Sequence, residues 1–150
     1  MKRYDLRLFA DYCQFYLQDE SAIGDLSNAW SQVAVNRLLA VAPGVVGVRT
    51  ASAAVVPVSV ELLDAPPTED FESFEHVVEC SLNVQSLAIV AAGCTDYLPD
   101  AQRISVVPAL YRVRVCFAGL EPEAATQERY RVQCWQAPLV QPHVLKAFED

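Results

Sequence analysis

Apolar and polar positions alternate along much of this chain, most cleanly in two near copies. Tyr111-Arg-Val-Arg-Val-Cys-Phe117 sets Tyr111, Val113, Val115 and Phe117 on one side and Arg112 and Arg114 on the other. Tyr130-Arg-Val-Gln-Cys-Trp135 sets Tyr130, Val132 and Cys134 against Arg131, Gln133 and Trp135. A period of two is that of a half-buried strand. The segment between them, Ala118 to Arg129, carries Gly119, Pro122 and charged residues and reads as an exposed loop. The two copies are expected to be strands of an antiparallel sheet, paired with each other.

Similar runs recur through the chain. Tyr4 to Ala10 alternates Tyr4, Leu6 and Leu8 with Asp5 and Arg7, and Tyr12 to Gln18 is aromatic-rich and strand-like. Val45 to Thr50, Ala53 to Leu63, His76 to Val84, Leu87 to Ala92 and Ile104 to Val107 complete the strands. Pro57 cannot donate to a ladder, so its strand is expected at a sheet edge or bulged there. Ser27 to Val41 is the helix candidate: Trp30, Ala34, Leu38 and Val41 share one helical face, Ser27 or Ser31 supplies the N-cap, and Pro43-Gly44 ends it. Trp30 would anchor that helix over an open end of the sheets. Asp19 to Leu26 and Asp64 to Phe74 read as loops, the second with Phe71 and Phe74 spaced to pin one turn to the body. Pro138 and Pro142 end the sheet, leaving Val144 to Asp150 as a tail with a helical turn. About nine short strands and one short helix make a mainly β chain, best satisfied by an antiparallel β-sandwich over residues 1–150, with a closed β-barrel as the alternative.

At 150 residues this is one domain by size. There is no apolar run of about 18 residues, the length a membrane helix needs. Asp5 and Arg7 interrupt the start where a signal peptide needs an apolar stretch, so the chain reads as cytoplasmic. Five cysteines, with no CxxC and no metal spacing, read as reduced and mostly buried thiols. The net charge of −8 is concentrated. The first and last thirds are close to balanced, whereas residues 51–100 carry Glu61, Asp64, Glu69, Asp70, Glu72, Glu75, Glu79, Asp96 and Asp100 with no Lys or Arg. A field of this sign repels nucleic acid and anionic membranes and attracts a basic partner.

No nucleophile elbow, glycine-rich phosphate loop, HExxH or EF-hand pattern occurs. His76 and His143 read as ordinary surface or strand-end residues. The carboxylate clusters match no metal-loop spacing, so no metal, cofactor or catalytic residue is expected. Arg112, Arg114 and Arg131 share a sheet face and are expected to pair with acids across strands rather than bind an anion.

Two segments carry a resemblance. Tyr12-Cys-Gln-Phe15, followed by a loop and Trp30, resembles the opening of the competence protein J family. Tyr130-Arg-Val-Gln-Cys-Trp-Gln-Ala-Pro138 is similar to that family's Tyr-x-x-x-Cys-Trp-x-x-Pro strand. The segments lie near opposite ends in the same order, so the resemblance spans most of the domain. It implies inhibition of a DNA-entry nuclease by direct binding, a role that carries over no catalytic residue. Together with the charge, it makes a non-catalytic acidic protein-binding module the first reading, with Glu61, Asp64, Glu69, Asp70, Glu72, Glu75, Asp96 and Asp100 facing a basic protein such as a nuclease. A β-sandwich binding a small molecule or metal ion is second, and a cavity lined by Tyr12, Phe15 and Trp135 would favour it. An enzyme of unrecognised type, and a homo-oligomer built through an edge strand such as that holding Pro57, follow in that order.

Overall fold

The computed structural model describes residues 1–149, apart from the side chains of residues 124–126. Among the described residues eleven strands form two sheets. They are β1 (Lys2–Phe9), β2 (Gln14–Asp19), β3 (Leu39–Ala42), β4 (Val45–Arg49), β5 (Val55–Leu62), β6 (His76–Val84), β7 (Ala88–Gly93), β8 (Gln102–Ser105), β9 (Ala109–Ala118), β10 (Arg129–Gln136) and β11 (His143–Lys146), with one α-helix, α1 (Gln32–Arg37). The six-stranded sheet runs β1-β5-β10-β9-β6-β11 and the five-stranded sheet β3-β4-β2-β7-β8. The architecture is a β-sandwich, and neither sheet closes into a barrel.

The two Tyr-Arg-Val strands pair directly and antiparallel, with Tyr130 opposite Phe117, Val132 opposite Val115 and Cys134 opposite Val113. Their alternation places these residues on the inner face, where they meet Phe15, Leu17, Val46, Val48, Ile89 and Ile104 of the facing sheet. Phe15, Phe117 and Tyr130 stack edge to face, with ring centres 5.5 Å apart in both contacts. Cys80 and Cys134 are buried in this core, and burial pushes the Cys134 thiol up to about 12.

Four expectations need correction. The helix is far shorter than Ser27 to Val41. Ser31 is its cap, accepting the Ala34 N–H at 3.2 Å, and Leu38 turns left-handed at its end. Leu39 to Ala42 then leaves as β3, because pairing with β4 satisfies its backbone and buries Leu39. Pro43-Gly44 is therefore a hairpin turn, Gly44 sitting at φ +73°. The tail does not coil: His143–Lys146 pairs with β6 as β11. Tyr12 and Cys13 belong to a tight turn ahead of β2 rather than to the strand. Nor does Pro57 mark an edge. β5 lies between β1 and β10, antiparallel to the first and parallel to the second. The ladder to β10 starts at Val58, so Pro57 faces only Arg7 of β1, and the edge invoked for a homo-oligomer is not open.

Each outer face is covered too. On the five-stranded sheet Leu26, Ala34 and the half-buried Trp30 pack over Tyr16, Ala40 and Val45. Gly47 permits this: a Cβ there would meet Leu26 at 2.6 Å and Trp30 at 3.1 Å.

Candidate functional site

β5 ends at Leu62 at one end of the sandwich and β6 begins at His76 at the other, so residues 63–75 must cross the outer face of the six-stranded sheet. This strap meets the polar positions of β9 and β10. Arg114 Nε donates to Glu79 Oε2 at 2.7 Å and its Nη1 to the Thr68 carbonyl at 3.2 Å. The same guanidinium lies 5.0 Å from the centre of the Phe71 ring and 5.2 Å from that of Trp135. Arg131 makes a two-bond fork to Asp70, at 3.0 and 2.8 Å, and its guanidinium lies 4.5 Å from the Phe74 ring. Lys146 of β11 donates to the Phe71 carbonyl at 3.0 Å. Pairing of the arginines with acids is thus what the alternation pointed to. The hydrogen bond from Arg131 holds the Asp70 carboxyl below its ordinary range. Burial works against the Arg131 cation, but Asp70 and Cys116 outweigh it and raise its pKa. The strap is therefore fixed by charge pairs and aromatic contacts, with Phe74 buried and Phe71 half-buried.

The eight predicted partner-binding acids divide. Glu61 is buried and accepts from Gln133 Nε2 at 3.0 Å. Glu75 accepts the Gly119 N–H at 3.0 Å and the Leu120 N–H at 3.1 Å, tying down the loop after β9. Asp70 is exposed but committed to Arg131. Asp64, Glu69 and Glu72 are exposed along the strap. Asp96 and Asp100 are exposed in the loop between β7 and β8, on the other sheet, where Asp96 Oδ2 accepts the Gly93 N–H at 2.7 Å. Two glutamates join the strap that the middle-third charge count passed over. Glu121 and Glu149 line one groove with Glu72, Glu75, Lys146 and Phe148. They come from separate stretches of the last third, which is balanced overall, so no local signal marks them.

Three further polar groups are buried. The Glu128 carboxylate accepts from Tyr130 Oη at 2.5 Å and Ser52 Oγ at 2.5 Å, while Tyr130 Oη accepts the Ala51 N–H at 2.9 Å. Burial and then Glu128 push the Tyr130 phenol well above its usual range. Asp19 accepts from Ser86, Gln85 and Ser21; burial opposes its charge, yet these bonds outweigh it and the carboxyl lies low. His76, expected at the surface or at a strand end, does begin β6 but is buried. Its Nδ1 accepts the Phe148 N–H at 3.0 Å and its Nε2 lies 2.8 Å from the Arg37 carbonyl, which fixes the neutral tautomer with the proton on Nε2. Burial pulls its pKa down.

Tyr12, Phe15 and Trp135 do not line one cavity. Tyr12 is exposed at one end, Phe15 is in the inner core and Trp135 lies on the outer face beneath Arg114. Among the described residues no three His, Cys, Asp or Glu side chains are grouped as metal ligands.

No family model matches the chain, and no curated protein matches it. Two solved structures do. The crystal structure of ComJ from Bacillus subtilis, inhibitor of the DNA degrading activity of NucA, covers 91% of this chain and 96% of its own at a TM-score of 0.67 and 14% identity. The chain shares the ComJ fold. Crocagin biosynthetic gene J has it as well, over 92% of this chain and 100% of its own, at a TM-score of 0.62 and 14% identity. The resemblance read from Tyr12-Cys-Gln-Phe15 and from Tyr130 to Pro138 is therefore matched in three dimensions. At such identity, what is shared with ComJ is the arrangement of strands.

Proposed function

We propose that this chain is a non-catalytic, cytoplasmic protein-binding module that inhibits a basic enzyme, with a DNA-degrading nuclease as its target class. One observation carries this reading. The acidic strap is held rigid by Arg114, Arg131, Phe71 and Phe74, leaving Asp64 and Glu69 exposed along it and Glu72 exposed at the glutamate-lined groove. A pre-organised row of carboxylates loses little freedom on docking and steers a basic surface where that surface expects phosphates. ComJ, of the same fold, inhibits the DNA degrading activity of NucA, which supports a nuclease as the target.

The test is capture from the source cell's lysate on the immobilised chain at low and at high salt, with the eluate assayed for DNA degradation. The expected result is a basic nuclease retained at low salt, shed at high salt, and inhibited by added chain. Reversing Glu69 and Glu72 to Lys is expected to weaken capture and flatten its salt dependence. A folded chain that neither depletes nor inhibits any DNA-degrading activity would overturn the nuclease target.

A further inference from the structure

At the end of the sandwich where β1 passes to β2, Tyr12 and Cys13 take left-handed backbone in succession, at φ 55° and 57°. Residues with a Cβ rarely adopt this region, and a glycine there would be free of the conflict. The strained turn holds the Tyr12 ring 72% exposed. Such outliers persist only where the surroundings fix them, and they gather where a protein meets something else. Here the surroundings do fix it. Asp11 Oδ1 accepts the Tyr12 N–H at 3.1 Å, and Asp11 Oδ2 accepts from Thr95 Oγ at 3.0 Å. Gly93 lies so close to the Phe9 carbonyl that a Cβ would come within 2.0 Å of it. The turn before β2 and the loop after β7 are thus clamped together. That second loop carries Tyr97, 71% exposed, and Leu98, while Phe9 and its cross-strand partner Val55 are about half exposed nearby.

Single exposed apolar residues are ordinary, but here five large ones lie on adjoining segments at one end of the sandwich. Tyrosine is enriched among the residues that dominate binding energy, and rings on fixed loops give up little freedom on docking. Charge selects the occupant. Residues 10–13 and 94–101 carry Asp11, Asp96 and Asp100; of the cations around them, Arg103 donates to the Leu98 and Ala101 carbonyls and is paired with Glu20, and Arg49 lies beside Cys13, so the carboxylates are in excess. A second copy of the chain would set carboxylate against carboxylate, whereas a basic protein surface would pair with them. The patch also shares an end of the molecule with the strap. Cys13 and Phe148 line one groove with His76, and Phe148 lines the next with Glu72 and Glu75.

We infer that Tyr12 and Tyr97 form the apolar anchor by which the chain grips a basic protein partner, while the strap supplies the attraction that brings it in. This rests on the protein-binding reading above. The decisive variants are Tyr12→Gly, Tyr97→Ser and the pair together, measured by calorimetry against the purified basic protein captured at low salt. Each single variant is expected to weaken binding about tenfold or more. Its salt dependence stays intact, unlike that of the Glu69→Lys, Glu72→Lys double variant. Tyr12→Gly is also expected to leave the melting temperature unchanged or raised, because glycine relieves the left-handed turn; a merely structural tyrosine would lower it. Ile23→Ser, on an exposed loop elsewhere, is the control and keeps wild-type affinity. Wild-type affinity in the Tyr12, Tyr97 double variant overturns the anchor and leaves the protein-binding reading standing. A wild-type dimer in sedimentation that this double variant dissolves assigns the patch to a second copy and overturns it too. A folded chain that captures no basic protein removes both.

Discussion

On the inner face of the six-stranded sheet Val113, Val115, Phe117, Tyr130, Val132 and Cys134 are buried against the facing sheet. On the outer face of the same sheet Arg114, Gln133, Trp135 and Glu79 are buried nearly as well. The first face is dry because apolar surface leaves water at about 25 cal/mol per Å². The second is dry because the neighbouring strands and the strap together supply partners: Glu79 of β6 and Thr68 of the strap for Arg114, Glu61 of β5 for Gln133, and Asp70 of the strap for Arg131. Burying charge this way gains little net stability and makes each partner depend on the other. The inner face should therefore fail when volume is removed, and the outer face when a pair is split.

The largest effect is expected from Phe117→Ala, which leaves a cavity between His76 and Tyr130 and costs about 3–5 kcal/mol in urea unfolding. A loss under about 1 kcal/mol would mean that the inner face is not the stabilising core. Next is Glu79→Ala, costing about 3 kcal/mol because Arg114 is left buried and unpaired. Here the faces diverge: Glu79→Leu combined with Arg114→Met is expected to regain most of that loss, and no regain would refute the pairing account. Acid is the third probe and acts on the inner face through His76. Its pKa is lowered by folding, so the unfolded chain binds the extra proton. Stability is then full above the ordinary imidazole value of 6.5 and falls as pH drops through the folded value. His76→Gln should flatten that part of a pH–stability curve; an unchanged slope between pH 7.5 and 5.5 would assign it to other groups. The smallest effect is that of Asp70→Asn. The carboxylate is more than half exposed, so loss of its bond to Arg131 should cost under about 1 kcal/mol. Its contribution is present above 3.8 and is lost as pH falls through the lowered folded value.

The sequence made the inner face legible because alternation reports which side chains avoid water. On that ground the alternation of Tyr111 to Phe117 and Tyr130 to Trp135 marks paired strands, and the arginines of the opposite face point to acids as partners. Alternation does not say whether a polar face stays wet. Arg114 looks solvent-facing until a loop from a distant stretch closes over it, and Gln133 until β5 sets Glu61 beside it. Leu39-Ala-Val-Ala42 looks helical in sequence because Val41 extends the stripe of Trp30, Ala34 and Leu38, and only pairing to β4 overrides that pattern. His143 to Lys146 is exposed throughout, with no apolar face to announce a strand. Of the candidate surface, the acidic middle third was legible from charge alone. The clamp that exposes Tyr12 was not, because it depends on Gly93 and Thr95 meeting Phe9 and Asp11 across the fold.

The parallel pairing of β10 with β5 bears on the order in which this protein can assemble. β10 alone joins the β1–β5 ribbon to the β9–β6–β11 half of its sheet, through Val58 opposite Tyr130 and Phe117 opposite Tyr130. Until Arg129–Gln136 has emerged from the ribosome, a nascent chain holds two strand groups with no ladder between them and with the inner core exposed. Contacts this distant along the sequence slow folding, because the loop must close before the contact repays it. The N-terminal ribbon must therefore wait, open-edged, for almost the last strand to be made, and that interval is when a folding helper would matter most.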